Sequence, residues 1–343
     1  MPLSFAFGTV GSPLETPLKP GGTVGGIEFS KSLGLLALEL GWVRSVRVTE
    51  ATCALIKAAG EKHGVVLSVH APYFINLNAT ADEWPKSRKR LMDAAHYGFL
   101  AGATDIIFHP GSYFTHDPQE VLRTVLPRLQ ACVVDLQRNG DNVTLRPETM
   151  GKSAMLGSFE DAVEMSRAVP HVQPCLDFAH LHARPGDGSM NSYDEWSRLL
   201  DGYARALGSE ALKRLHIHLS GIEYGPKGEK NHVPLADGDL RFKDLFRALK
   251  AFECAGRILC ESPIMEADAL KLKKGDRLLF RYKTILRRGT IHYDPKNKPP
   301  EGPTDVQWFM VLIRYGRHHF IPAIWRGDGW SPATAIPVKE EWK

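Results

Sequence analysis

The sequence predicts an α/β fold, a (β/α)8 TIM barrel followed by a small β-rich C-terminal extension. A short apolar, β-branched run followed by a polar residue recurs six times between residues 65 and 261. The six polar residues are separated by 39, 39, 29, 41 and 43 positions, which suits one strand and one returning helix each time. Near residue 270 the composition changes, and a basic, aromatic-rich segment begins.

Eight strands and several helices can be placed in order along the chain. Two apolar runs near the N-terminus join the six repeats, so strands are predicted over 3–7, 35–40, 65–69, 105–108, 143–147, 172–176, 215–219 and 257–260. Apolar residues at helical intervals predict helices over 50–63, 118–138, 161–168, 193–207 and 242–255. Thr49 is a suitable N-cap for the first helix, and Gly64 and Gly140 are suitable C-terminal stops. The barrel is predicted to span residues 1–268.

The composition indicates an intracellular globular protein. The 343 residues carry a net charge of +4, and no apolar run approaches the ~18 residues that a membrane helix needs. Residues 1–11 lack the basic and apolar regions of a secretory signal. Five scattered cysteines without a CxxC pair fit a reducing compartment better than a disulfide framework. We therefore expect a cytoplasmic protein that does not associate with membranes.

Residues 271–343 are expected to form a second, β-rich domain. They hold 15 Lys and Arg against 7 Asp and Glu, together with four of the seven tryptophans. Aromatic and β-branched content predicts strands over 282–286, 289–293, 308–313 and 320–325. The arginines on or beside these strands, which would suit contacts with DNA phosphates, are Arg287, Arg288, Arg314 and Arg317. The alternative is a lid or a dimer contact whose charges are solvated.

The polar residues of the six repeats predict a metal centre. Parallel barrel strands all end on one face, so residues that follow them converge although they are far apart in sequence. The six residues are His70, His109, Glu148, Asp177, His218 and Glu261. Buried carboxylates need compensating cations, and imidazole and carboxylate donors without a thiolate favour Zn²⁺, Mn²⁺ or Fe²⁺. The number of donors favours a multinuclear cluster, which is typical of phosphoester hydrolysis.

Two short motifs add candidate ligands. His180 lies three residues after Asp177, close enough to serve a neighbouring ion. Glu229 and His232 lie within 221–239, whose glycine and polar content predicts a functional loop. Glu229 can alternatively be a solvent-exposed charge of that loop. His216 shares the strand face of His218, so we expect it behind His218 or within the barrel interior.

The ordered motifs resemble the endonuclease IV family of apurinic/apyrimidinic (AP) endonucleases, and the segment SGIEYGPKGEKNH (220–232) is most similar to its archaeal-type branch. The segments that carry the resemblance are SVHAPYFINL (68–77), FHPGS (108–112), ETMGKSAMLGS (148–158), CLDFAH (175–180), HLSGIEYG (218–225) and ESP (261–263). The resemblance implies a xylose isomerase-like TIM barrel with a three-zinc cluster. It also implies cleavage of double-stranded DNA 5′ to an abasic site, leaving a 3′-hydroxyl and a 5′-deoxyribose phosphate.

The resemblance further implies roles for individual residues. His70 and His109 would hold the first metal, and Glu148 would bridge it to the second and help to deprotonate the attacking water. The carboxylate of Glu261 would be the other catalytic group. The second metal site would be completed by three residues, namely Asp177, His218 and Glu261.

The third metal site departs from the pattern of the family. The resemblance assigns His180 and His232 to it, but the family usually has an aspartate at the position of Lys230. Glu229 is the only nearby carboxylate, so it is expected to replace that aspartate. Tyr73 would contact the distorted DNA, and the segment beyond residue 270 has no counterpart in the family.

Two other functions remain open at this point. A sugar isomerase or epimerase on the same barrel would hold one or two ions mostly through carboxylates and would act on a small neutral substrate. A non-catalytic DNA-binding protein could be built on a decayed barrel. The imidazole-rich donor set favours the nuclease, and eight of the nine ligand positions of the family are filled.

Overall fold

The computed structural model describes residues 5–275 and three strands within 310–332. The chain divides into two units, Met1–Gly275 and Asp276–Lys343. Across the described residues, no helix combines the length and the hydropathy that a membrane crossing requires. All five cysteines are free and buried.

Ten strands lie within residues 5–275, and eight of them form a nearly closed parallel barrel, as the sequence predicts. The strands are β1 (Phe5–Val10), β2 (Ala37–Gly41), β3 (Val66–His70), β4 (Ala103–Phe108), β5 (Thr144–Pro147), β6 (Cys175–Asp177), β7 (Leu215–Leu219), β8 (Gly221–Gly225), β9 (Gly228–Val233) and β10 (Gly256–Cys260). Neighbours in the barrel run in the order β5-β4-β3-β2-β1-β10-β7-β6. Parallel bridges from Leu145 to Val172 and from Glu148 to Cys175 bring the two ends of the sheet together.

Helices connect the strands and cover the outside of the barrel. Eight of them are α1 (Gly22–Ser32), α2 (Glu50–His63), α3 (Trp84–Leu100), α4 (Pro118–Asn139), α5 (Phe159–Ala168), α6 (Phe178–Ala183), α7 (Tyr193–Leu207) and α8 (Phe242–Ala251). A ninth, α9, spans 265–275 and extends beyond the limit of 268 expected for the barrel. The Thr49 side chain caps α2, and Gly64 and Gly140 end α2 and α4 in the left-handed conformation, which confirms the predicted helix signals.

The segment 221–239 differs from the prediction. It was expected to be a loop, but β8 and β9 within it form an antiparallel hairpin. The glycine and polar residues of this segment have the composition of a loop. The apolar pattern that predicts a barrel strand is weak here because the hairpin lies outside the barrel sheet. Helices α1, α3, α6 and α9 are also not predicted from the sequence.

The interior of the barrel contains a buried ion-pair network. Asp105 of β4 is paired with the guanidinium groups of Arg146 and Arg257, the latter at 2.8 Å. Burial alone would raise the pKa of Asp105, but the two arginines outweigh burial and hold the pKa well below its usual range. The network therefore depends on an ionised carboxylate within the barrel.

The described part of the second unit is an antiparallel sheet of β11 (Met310–Tyr315), β12 (His319–Trp325) and β13 (Trp330–Pro332). Strands β11 and β12 overlap the predicted strands 308–313 and 320–325. Arg314 lies in β11, paired in register with Phe320. The predicted strands 282–286 and 289–293, with Arg287 and Arg288, lie outside the described residues, as does Arg317.

Candidate metal centre

The carboxyl ends of six barrel strands place their polar residues at one end of the barrel. His70 and Asp177 are the last residues of β3 and β6, and His218 is the penultimate residue of β7. His109, Glu148 and Glu261 directly follow β4, β5 and β10. The strand register fixes these positions; for example, Asp177 pairs with His218 across β6 and β7. The structure therefore brings together all six strand-end residues that the sequence singled out.

Glu148 lies at the centre of this group and is fully buried. Its Oε2 lies 3.2 Å from His70 Nε2 and 3.3 Å from His109 Nε2. Its Oε1 lies 3.3 Å from His218 Nδ1 and 3.4 Å from His180 Nδ1. Each carboxylate oxygen therefore faces its own pair of imidazole nitrogens, and Glu148 is the common neighbour of four histidines.

Glu261 faces the same group from β10. Its Oε1 lies 3.4 Å from His218 Nδ1, and its Oε2 lies 3.8 Å from His232 Nε2. One donor atom from each of His70, Glu148, His218 and Glu261 falls within 4.8 Å of the others. These four residues are therefore close enough to hold an ion together.

Asp177, His180 and His232 form a second such group. The Nε2 atoms of His180 and His232 face each other at 3.1 Å. The Thr149 carbonyl accepts a hydrogen bond from His180 Nδ1, and His232 Nδ1 is hydrogen-bonded with Ser220 Oγ. Since the Nδ1 atoms are engaged elsewhere, both Nε2 atoms are directed at one point, as ligands of a shared cation would be.

Glu229 faces this second group rather than solvent. Its Oε2 lies 3.5 Å from His180 Nε2. Gly151 packs against it so closely that an added Cβ would lie 2.7 Å from Glu229 Cβ and 3.0 Å from His180 Cδ2. The adjacent Lys230 points elsewhere, with its Nζ 3.2 Å from Glu223 Oε1. The alternative that Glu229 is a solvent-exposed loop charge does not agree with this position.

The negative charge of the donor set fits divalent cations. Burial would raise the pKa of Glu148, but His218 and other imidazoles outweigh burial and hold the pKa well below its usual range. Burial opposes protonation of His180, but Asp177 and Glu148 outweigh it and raise the pKa to about 10. Asp177 Oδ2 is buried and accepts no hydrogen bond from the described residues. Buried carboxylates thus draw positive charge to this site, which a metal ion would supply.

Tyr73 lies beside the metal-binding groups and reaches solvent. Its ring stacks on that of His109, with the centroids 4.8 Å apart and the planes at 18°. The side chain is half exposed, so the ring is available at the mouth of the barrel. Burial of the hydroxyl, together with Glu261 and Glu148, raises the pKa of Tyr73, which keeps the phenol protonated.

Sequence reasoning missed one acidic residue at the site. Glu39 of β2 is fully buried, and its carboxylate contacts both His216 and His218. His216 lies in the barrel interior, as expected, and burial lowers its pKa to about 4. A signal was present, because Glu39 is the only charged residue in the apolar run 35–40. Its partners are 177 and 179 positions away, so the sequence could not pair them.

Comparisons with known proteins agree with this geometry. The family model for AP endonuclease family 2, described as a xylose isomerase-like TIM barrel, matches residues 27–281. The chain belongs to this family. A relative from Methanocaldococcus jannaschii, an uncharacterized protein, is 35% identical over 271 residues, which cover 78% of this chain and 95% of the relative. The family and the fold that the motifs implied are thereby confirmed.

Further members and structural neighbours differ in the function that their names record. Endonuclease 4 of Thermus thermophilus is 28% identical over 229 residues, covering 64% of this chain and 79% of the relative. The crystal structure of an endonuclease IV from Thermus thermophilus is similar with a TM-score of 0.59 at 23% identity, covering 80% of this chain and 99% of that one. A D-tagatose 3-epimerase-like protein has the same TM-score at 17% identity, with coverages of 83% and 99%. The fold alone therefore does not separate a nuclease from an epimerase.

Proposed function

We propose that this chain is a metal-dependent AP endonuclease that hydrolyses the DNA phosphodiester 5′ to an abasic site. The products would be a 3′-hydroxyl and a 5′-deoxyribose phosphate, as in base excision repair. The observation that carries the proposal is the double set of donors around Glu148. Imidazoles on both of its oxygens, with a separate group at His180 and His232, suit a cluster of two to three ions. Zn²⁺ suits this donor set best, and Mn²⁺ or Fe²⁺ would also be accepted.

Each proposed ion has its own set of protein ligands. By the pattern of the family, one ion would be held by His70, His109 and Glu148, and a second by Glu148 with Asp177, His218 and Glu261. The third would be held by three residues, namely His180, Glu229 and His232. Such ions, when bound, activate a water and stabilise the attacking and leaving oxygens of a phosphodiester.

The two glutamates are the proposed catalytic carboxylates. Glu148 stays ionised because the surrounding imidazoles outweigh burial and hold its pKa low, so its carboxylate would be available to the ions and would help to deprotonate the attacking water. Burial raises the pKa of Glu261 although His218 opposes the shift, so this carboxylate would depend on a bound cation to stay ionised.

Contacts with DNA are proposed for two parts of the chain. Tyr73 presents a half-exposed ring beside His109, where it would stack on the distorted duplex at the abasic site. The basic segment 271–343 would add sequence-independent affinity through phosphates, with Arg287, Arg288, Arg314 and Arg317 as its candidate contacts. In this proposal the barrel carries out the chemistry, and the second unit supplies part of the affinity for DNA.

A sugar isomerase or epimerase is the second candidate, because an epimerase-like protein shares the fold. The experiment that separates the candidates uses the full chain loaded with Zn²⁺. Cleavage of an end-labelled duplex with one abasic site is measured beside an undamaged duplex and a panel of ketoses and aldoses. Cleavage at the abasic site alone supports the nuclease, and conversion of a sugar without cleavage supports the isomerase. Binding of abasic DNA without either reaction would support the decayed barrel.

A further inference from the structure

A buried carboxylate lies on the far side of one proposed metal ligand. Glu39 Oε1 lies 3.1 Å from His218 Nε2, and Glu39 Oε2 lies 2.9 Å from His216 Nε2. Glu39 Oε2 also accepts a hydrogen bond of 2.8 Å from Ser68 Oγ. All four side chains are buried, so water does not compete for these contacts.

The two ring nitrogens of His218 face in different directions. Nδ1 faces the metal-binding carboxylates, at 3.3 Å from Glu148 Oε1 and 3.4 Å from Glu261 Oε1. Nε2 faces Glu39. With Glu148 and Glu261 bound to ions, the one proton of a neutral imidazole would lie on Nε2 beside Glu39, which would leave the lone pair of Nδ1 for the metal side.

We propose that Glu39 is a positioning residue that fixes the tautomer and the ring orientation of His218 for metal binding. This inference rests on the proposed function, because it takes His218 to be a metal ligand. A carboxylate on the second nitrogen of a metal-binding histidine raises the basicity of the ligand and holds its ring in place. Glu39 does not itself face the other donors and is not proposed as a ligand.

His216 and Ser68 hold Glu39 in its place. The contact between Glu39 and His218 is short, but its N–H is poorly aligned with the oxygen, so it acts as an electrostatic contact. The well-formed hydrogen bonds of Glu39 are those with His216 and Ser68. These two partners therefore direct the remaining oxygen of the carboxylate towards His218.

Metal binding by the full chain tests this role without relying on cleavage. Zinc affinity and the number of bound ions are measured by competition with a chelator for the wild type, Glu39→Gln and Ser68→Ala. We expect Glu39→Gln to weaken one ion by about 10–100-fold and to leave the others unchanged. Ser68→Ala should weaken the binding of the same ion to a smaller extent, because Glu39 keeps its hydrogen bond to His216. In the Co²⁺-loaded protein, the visible spectrum should change in Glu39→Gln.

Glu266→Gln is the matched control. Glu266 is a buried carboxylate that accepts hydrogen bonds from the backbone of Leu14 and Glu15 rather than from any proposed metal ligand. Its substitution should lower the thermal stability of the metal-free protein without changing any metal affinity or the cobalt spectrum. If Glu39→Gln fails to fold, Ser68→Ala still carries the test.

The outcomes separate this inference from the proposed function. If the wild type binds ions and both Glu39→Gln and Ser68→Ala bind them with unchanged affinity and an unchanged cobalt spectrum, the inference is wrong and the metal centre stands. An equal loss of zinc affinity in Glu266→Gln would show that lower stability alone weakens metal binding, and it would also overturn the proposed role of Glu39. If the wild type binds no ion at all, the metal centre and the role of Glu39 are both wrong.

Discussion

Glu229 and His232 lie three residues apart on β9, yet they share one face of the hairpin. In a regular strand an odd separation places two side chains on opposite faces. Here Tyr224 pairs with Glu229 and Glu223 with Asn231, so Lys230 is an extra residue in a β-bulge. The bulge restores Glu229 to the face of His232, and it explains how a glutamate one position early could replace the aspartate of the family.

Glu229→Ala should therefore remove the third ion. The carboxylate lies against His180, and its loss leaves two imidazoles grouped with one carboxylate, Asp177, which is assigned to the second ion. We expect the zinc content to fall by one ion per chain, as in His232→Ala, measured by metal analysis of the purified protein. Lys230→Ala is the matched control and should keep the full content. A full content in Glu229→Ala beside a loss in His232→Ala would remove Glu229 from the ligands.

Glu148→Gln and Glu261→Gln should each lower cleavage of an abasic duplex by orders of magnitude. Each substitution keeps the shape of the side chain and removes a negative charge that faces the proposed ions. Single-turnover cleavage rates measure the effect, and circular dichroism checks that the fold is kept. Near-normal cleavage by either variant would contradict the assignment of that carboxylate.

Asp105→Asn should destabilise the barrel without changing the metal content. The substitution leaves Arg146 and Arg257 without their buried carboxylate, which costs about 3–5 kcal/mol of unfolding free energy. Urea unfolding at pH 7 measures this loss. Asp201→Asn, which breaks an exposed pair with Arg205, is the control and should cost at most about 1 kcal/mol.

The difference in unfolding free energy between the wild type and Asp105→Asn should depend on pH. The pKa of Asp105 is depressed in the folded state, so its contribution to stability is present above the unfolded pKa of roughly 3.9. That contribution is lost as the pH falls further, towards the folded pKa. The difference in unfolding free energy between wild type and Asp105→Asn should therefore shrink below about pH 4. A constant difference across that range would show that the carboxylate is not ionised in the fold.

Removal of the second unit should weaken DNA binding and its dependence on salt. Truncation after Gly275 keeps α9, whose Leu272 is buried in the first unit. Each phosphate contact contributes about 0.9 to the slope of log affinity against log salt concentration, so the slope should flatten. Binding of abasic duplex at several salt concentrations measures it. An unchanged slope with a folded barrel would favour a lid or dimer role for this unit.

The sequence predicted the barrel and its strand ends better than the features outside them. His70, His109, Glu148, Asp177, His218 and Glu261 could be found because parallel strands repeat one pattern and end on one face. The hairpin that carries Glu229 could not be recognised, because its glycine and polar residues have the composition of a loop. Glu39 could not be paired with His216 and His218, because such contacts depend on the closure of the barrel rather than on local pattern.

Cleavage of a duplex with a single abasic site tests the central claim most directly. The full chain loaded with Zn²⁺ is incubated with a 5′-labelled duplex, and the product is resolved to one nucleotide. We predict one product that ends in a 3′-hydroxyl immediately 5′ to the site, that a polymerase can extend, and that is absent with excess chelator or with Glu261→Gln. An intact duplex under conditions where the chain holds its ions, or equal cleavage by Glu261→Gln, would contradict the account.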